Sequence, residues 1–247
     1  MTNESILHHP SQELLVSYAA GSCSTSQALC IATHLEFCAK CRALHNRNNA
    51  IGGALLDTAA SSTHSVSSIN PRSKSRVMEL IANRQTEGGQ ALAPQTPEPL
   101  TKTEPSPRNQ LTPSKQSATP RALRKLVPDG LSSIRWKMAT LSVKTSDLFK
   151  DHDGTNVSLL KIKAGGKVGK HRHLGDEYTV ILQGSFSDET GVYKKGDFLL
   201  RDANQQHTPV ATKDTECICL TAQEAPLQFT GKWWSVFNPF LRKAFTP

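Results

Sequence analysis

The chain has 247 residues, a hydrophobic content of 37% with only 6% aromatics, and a formal net charge of +8. So lean an apolar content argues against one continuous core and for a sizeable part of the chain that does not pack. The charge is dispersed, with six basic against five acidic residues over 1–82, five against three over 83–122 and eighteen against thirteen over 123–247, which argues against direct nucleic-acid binding, since that needs a concentrated basic face.

No stretch of about 18 consecutive apolar residues exists to span a membrane. The start, Met1-Thr2-Asn3-Glu4, lacks the basic region and apolar run of a secretory signal. A cytosolic location is expected, where thiols stay reduced. Six cysteines there read as ligands, sensors or buried thiols rather than a disulfide framework.

"SQELLVSYAAG" predicts a first helix, with Ser11 as N-cap, Leu14, Leu15 and Tyr18 at helical spacing, and a stop at Gly21. The proline-free run that follows places Leu29, Ala32, Leu35 and Ala39 at three- and four-residue intervals, a second helical pattern. Within it, "HLEFCAKC" sets His34, Cys38 and Cys41 at i, i+4 and i+7, one face of a continuous helix. Two thiolates and an imidazole supply most of a tetrahedral zinc site. The fourth ligand must come from elsewhere: His8 or His9, just before the first helix, or Cys30 on the same stripe. The alternative is a buried cysteine pair with a satisfied histidine, since free cysteine is among the most buried residue types.

A Ser/Thr-rich stretch over 59–68 reads as a loop, and Arg72–Arg84 as a short helix with Val77, Met78, Leu80 and Ile81 as its apolar stripe. Residues 84–120 hold seven of the fourteen prolines and no aromatic residue. Such a segment cannot bury enough apolar surface to offset chain entropy and is predicted to be a disordered tether. Beyond residue 132 short runs such as "EYTVILQ" and "TECICLT" alternate with Gly and Asp at roughly ten-residue intervals, the pattern of an antiparallel barrel or sandwich.

In that region "GGKVGKHRHLGDEYTVILQG" spaces Gly165, His171, His173, Glu177 and Gly184 as the first cupin motif does, and "KKGDFLLRDANQQH" follows a Gly196-Asp197 turn with His207. Alternation along a strand sends His171 and His173 to one side. Three imidazoles and a carboxylate suit zinc, iron, manganese or nickel. A barrel of the same kind without metal is the alternative. Cys217 and Cys219 face one side of a strand, either as a redox pair or as packing.

The H-x3-C-x2-C pattern with an upstream histidine, and the opening "HHPSQELLVSYAAGSCSTSQALCIATHLEFCAKCRA", resemble the zinc-binding domain of the ChrR-type anti-sigma factors. That family also carries a cupin-like domain at its C-terminus and a similar Cys-x-Cys pair. The resemblance implies His9, His34, Cys38 and Cys41 as zinc ligands, with Cys23 and Cys30 outside the site. It implies a multidomain α + β chain: a small zinc-holding helical bundle over 1–85, a linker over 86–122 and an antiparallel cupin β-barrel over 123–247. It implies one-to-one binding to an extracytoplasmic-function sigma factor, and release on a singlet-oxygen-type signal. The oxidant is expected to act at a barrel site of His171, His173, Glu177 and His207, loaded with zinc or another divalent transition metal, or at Cys217 and Cys219, with the Cys38 and Cys41 thiolates as the second candidate target. The rival of a different class is a cupin dioxygenase or isomerase with an appended helical module, permitted by the same barrel ligands. A zinc-finger DNA-binding protein is a third reading, opposed by the dispersed charge.

Overall fold

Two serines begin the N-terminal helices. Ser11 accepts the N–H of Leu14 to cap α1 (Gln12–Ala19), and Ser24 forms a reciprocal capping box with Gln27 to start α2 (Thr25–Phe37). The structure is a computed structural model and describes residues 6–61, 71–86 and 119–230. The expected tether falls almost wholly outside these residues, as does the Ser/Thr-rich stretch beyond Ser61.

The proline-free run is two helices, not one. α2 ends at Cys38, whose backbone is extended (φ −103°, ψ 105°), and α3 (Ala39–Ser61) begins beside it. The cause is local: the Cys38 sulfur accepts the Cys41 N–H at 3.4 Å, the role an N-cap oxygen plays at other helix starts. A fourth helix, α4 (Pro71–Thr86), opens on proline at a position where a missing N–H costs nothing.

The C-terminal part contains β1 (Lys137–Met138), β2 (Val143–Lys150), β3 (Asn156–Ile162), β4 (His171–Arg172), β5 (Glu177–Gln183), β6 (Ser185–Asp188), β7 (Gly191–Lys194), β8 (Phe198–Arg201), β9 (Gln206–His207), β10 (Val210–Ala211), β11 (Cys217–Gln223) and β12 (Gln228–Phe229). They form an antiparallel six-stranded sheet ordered β1-β2-β3-β11-β5-β8 and two three-stranded sheets, β10-β6-β7 and β12-β4-β9.

The central strands are buried on both faces, and the period of two sorts their side chains. One core cluster takes Cys217 and Cys219 of β11, Ile181 of β5 and Ile162 of β3, and joins them to Phe186, Tyr193 and Ala211 of the β10-β6-β7 sheet. The other takes the alternate residues Ile218, Leu220, Val180 and Leu159 and packs them under Leu15 of α1 and Cys30, Ile31 and Leu35 of α2. The first two helices therefore cover the outer face of the six-stranded sheet. The chain re-enters this core at Leu123, where the Glu36 carboxylate accepts the N–H groups of Arg121 and Ala122, both at 2.8 Å.

Packing divides the chain into residues 1–53 with 113–247, and residues 54–112. The boundaries expected at 85 and 122 mark changes of composition, and the packing division is a different one. In the 54–112 unit, Val77, Met78 and Leu80 of α4 and Leu55 and Leu56 of α3 are exposed. No helix among the described residues is long and apolar enough to cross a membrane.

Ile31 is fully buried between α2 and the sheet. Ile31→Ala is expected to cost about 2–5 kcal/mol by lost transfer energy and residual cavity. A thermal melt should fall by roughly 5–15 °C for a unit of this size, and an unchanged melt would show that the helices do not pack on the sheet.

Candidate metal centres

The segment before α1, the end of α2 and the start of α3 meet at one point. His9, His34, Cys38 and Cys41 place one ligand atom each within 4.8 Å of all the others. His9 Nδ1 lies 3.4 Å from both sulfurs. His34 is fully buried; its Nδ1–H donates to the Gly196 carbonyl at 2.7 Å, and its Nε2 has no hydrogen-bond partner. A buried lone pair without a partner is costly unless something answers it. Two sulfurs, this Nε2 and the His9 nitrogen form an S2N2 set that suits tetrahedral zinc, and the Gly196 bond is the outer-shell contact that fixes the His34 tautomer. Burial pulls the His34 pKa down to about 4 against the opposing Gly196 bond, and pushes the Cys41 thiol up to about 12, helped by Cys38. Neutral imidazole is the form that ligates, and a metal would take the place of thiol protons.

The other two candidates for a fourth ligand lie elsewhere. His8 points to Asp197, with Nδ1 3.3 Å from Oδ2, and Cys30 is buried in the core beneath Tyr178, where burial drives its thiol up. The ligand set spans a helix break and not the single helix face that the i, i+4, i+7 spacing suggests.

The second group lies inside the barrel. β4 pairs with β9 in the register that puts His171 opposite His207, and His173 follows two residues on. His207 Nε2 sits 3.0 Å from His171 Nε2 and 3.1 Å from His173 Nε2. The Nδ1–H of His171 donates to the Gly169 carbonyl at 2.8 Å, and that of His207 to the Asp188 carboxylate at 2.9 Å. With those protons so placed, the Nε2 lone pairs of His171 and His207 face each other, an arrangement that a cation resolves. Burial brings His171 down to about 4 and lowers His173 as well.

Glu177 lies beside the triad but outside the mutually close group. Its Oε2 is 3.6 Å from His173 Nδ1, its Oε1 accepts the Thr179 hydroxyl at 2.9 Å, and Gln223 donates to it. Burial favours the acid, but the charge of His173 and the Gln223 bond prevail and lower its pKa. Cys217 and Cys219 do share a face, with sulfurs 3.7 Å apart and both side chains buried. Their mutual hydrogen bond and burial raise the Cys219 thiol, the opposite of the thiolate character that makes a cysteine reactive.

Sequence reasoning passes over Asp188. It sits on β6, bonds His207, and receives Arg201 at 2.8 Å. Burial would raise its pKa, but hydrogen bonds from His207 and Thr190 and the Arg201 charge hold it well below the usual carboxylate range. No local motif marks this residue. Beside the triad lies a cavity of about 160 Å³, walled by Leu160, Ile162, Phe186 and Cys219 as well as His171 and His207. Apolar cavities of roughly this size accept a molecule such as benzene.

The ChrR cupin-like domain family matches residues 130–226. The chain is 34% identical over 237 residues to the anti-sigma-E factor ChrR of Cereibacter sphaeroides, covering 96% of this chain and 99% of that protein. Among solved structures, the crystal structure of Rhodobacter sphaeroides SigE in complex with the anti-sigma ChrR matches with a TM-score of 0.66 and 31% identity, covering 89% of this chain and 99% of that one. An RmlC-like cupin protein from Ralstonia eutropha matches with a TM-score of 0.37 and 18% identity over 46% of this chain and 83% of its own.

Proposed function

Because the chain belongs to the ChrR family of anti-sigma factors, we propose that it binds and inhibits an extracytoplasmic-function sigma factor, one to one, in the cytoplasm. The observation that carries this reading is the end-to-end match, 96% of this chain against 99% of a relative that is an anti-sigma factor. In this reading residues 1–85 are the inhibitory part, 86–122 a tether and 123–247 the sensory part.

Zinc held by His9, His34, Cys38 and Cys41 would set the helices in the shape the sigma factor recognises. A metal in the barrel, zinc or another divalent transition ion on His171, His173 and His207 with Glu177, would serve the sensing of a singlet-oxygen-type oxidant. The exposed Val77, Met78 and Leu80 of α4 are the candidate contact, since apolar side chains presented along one helix fit a groove on a partner. Replacing Val77 and Leu80 together by Asp is expected to weaken sigma binding at least about 100-fold, because truncating buried apolar anchors costs 2 kcal/mol or more at interface centres. The melting temperature should hold. Undiminished binding would move the contact elsewhere.

Co-purification with an extracytoplasmic-function sigma factor of the same genome tests the whole reading. A stable one-to-one complex is expected, and no complex would overturn it. The cavity beside the triad favours one second reading, a cupin dioxygenase or isomerase acting on a small apolar molecule. Turnover of such a substrate by the metal-loaded chain would establish it.

A further inference from the structure

We propose that the β7–β8 turn of the barrel, at Gly196 and Asp197, is the outer shell of the helical zinc site, and that Asp197 is a positioning residue for His9. The inference rests on the zinc reading of His9, His34, Cys38 and Cys41. Asp197 is only 2% exposed, and its carboxylate is fully engaged. One oxygen accepts the backbone N–H groups of Leu7 and His8, at 3.0 and 3.1 Å, the two residues that lead into His9. The other accepts the Lys194 N–H at 2.8 Å and lies 3.3 Å from His8 Nδ1. Phe198, next along, donates its N–H to the His8 carbonyl at 3.1 Å.

The segment carrying His9 has no helix or strand of its own to hold it. Its backbone is satisfied by the barrel. Gly196 holds the second histidine through the carbonyl that orients His34. The turn needs glycine there: φ is +93°, and a Cβ would stand 2.7 Å from Ile6 Cδ1 and 2.9 Å from Phe37 Cβ. Both imidazole ligands are thus aimed by two consecutive barrel residues more than 160 positions away, while both thiolates come from the helices themselves.

The distant location has a consequence. Here a movement of one barrel turn is a movement of two of the four ligands, so the barrel can loosen the helical site without touching a thiolate.

Cobalt tests this in the full chain. A thiolate-to-cobalt charge-transfer band reports the S2N2 site alone, since the barrel triad has no sulfur among its expected ligands. Chelator competition read on that band should show affinity about 10- to 100-fold weaker in Asp197→Ala, the range for lost outer-shell contacts. Asp197→Asn, which keeps an oxygen for Leu7 and His8, should lie between that variant and wild type. Ile162→Ala supplies the control for mere instability: it is buried in the barrel's other core, a different cluster from the one that holds Ile6, Phe37 and Phe198 beside the turn. Wild-type affinity in Asp197→Ala, or an equal loss in Ile162→Ala, overturns the proposal. A wild-type chain with no such band overturns the zinc reading beneath it, which is a different failure.

Discussion

Cys38→Ala/Cys41→Ala is expected to lose its zinc and its sigma complex while keeping the barrel. Structural zinc sites contribute roughly 10–16 kcal/mol of apparent binding energy, and the variant removes both thiolates, leaving His9 and His34 as a two-nitrogen remnant. Cys38 also starts α3, because its sulfur receives the Cys41 N–H. The first turn of α3 therefore frays when the pair is replaced. The loss is not expected to spread to the whole helical part, because Leu15, Ile31 and Leu35 are buried against the sheet by apolar packing of their own. Far-UV circular dichroism should lose little helical signal, total bound zinc should fall by one equivalent, and affinity for the sigma factor should drop beyond detection. A zinc-free variant that still binds the sigma factor like wild type would separate the metal from the inhibition and overturn the scaffold reading.

Much of this arrangement is legible in the residues. The spacing of Gly165, His171, His173 and Gly184 needs one strand turn and a hairpin, and the fold supplies them: Gly184 adopts φ +70° where a Cβ would run into the Glu216 carbonyl. Ser11 and Ser24 announce their helices because an N-cap is a local event.

What the sequence conceals is long-range. Helical periodicity runs straight through Cys38, since neither residue type nor spacing distinguishes a thiol on a helix face from one that caps the next helix. The covering of the sheet by α1 and α2 has a signal after all, in "YTVIL" and "CICLTA", whose near-continuous apolar runs belong to strands buried on both faces. Asp188 and Asp197 carry no such signal. An aspartate in a hairpin reads as turn chemistry, and only the fold shows that one reaches His207 and the other the segment before His9.

His207→Ala is expected to disable sensing and spare inhibition. His207 is the hub of the triad, with its Nε2 within 3.1 Å of both other Nε2 atoms, and its Nδ1–H is braced by the buried Asp188 carboxylate. Removing it takes a direct ligand, so barrel metal affinity should fall by more than the about 100-fold that bounds an outer-shell change. Asp188→Asn, which keeps a hydrogen-bond acceptor but loses the charge, should fall by about 10- to 100-fold. The sigma complex should form normally in both, since His9, His34, Cys38 and Cys41 are intact.

The response to oxidant should then grade with barrel metal affinity, wild type above Asp188→Asn above His207→Ala. Cys217→Ala/Cys219→Ala separates the metal from the thiols. The pair is buried, and the hydrogen bond between the sulfurs reinforces the thiol of Cys219, so a response carried by the metal is expected to survive that change. Strand β7 with its flanking turns, from Asp188 to Phe198, would link the barrel site to the helices. Tyr193 hydrogen-bonds Asp188 at 3.2 Å and packs its ring 4.7 Å from that of His8, and the turn beyond it holds Leu7, His8 and His34. Normal induction in His207→Ala would place the sensor outside the triad, and loss of induction only in the double cysteine variant would place it at Cys217 and Cys219.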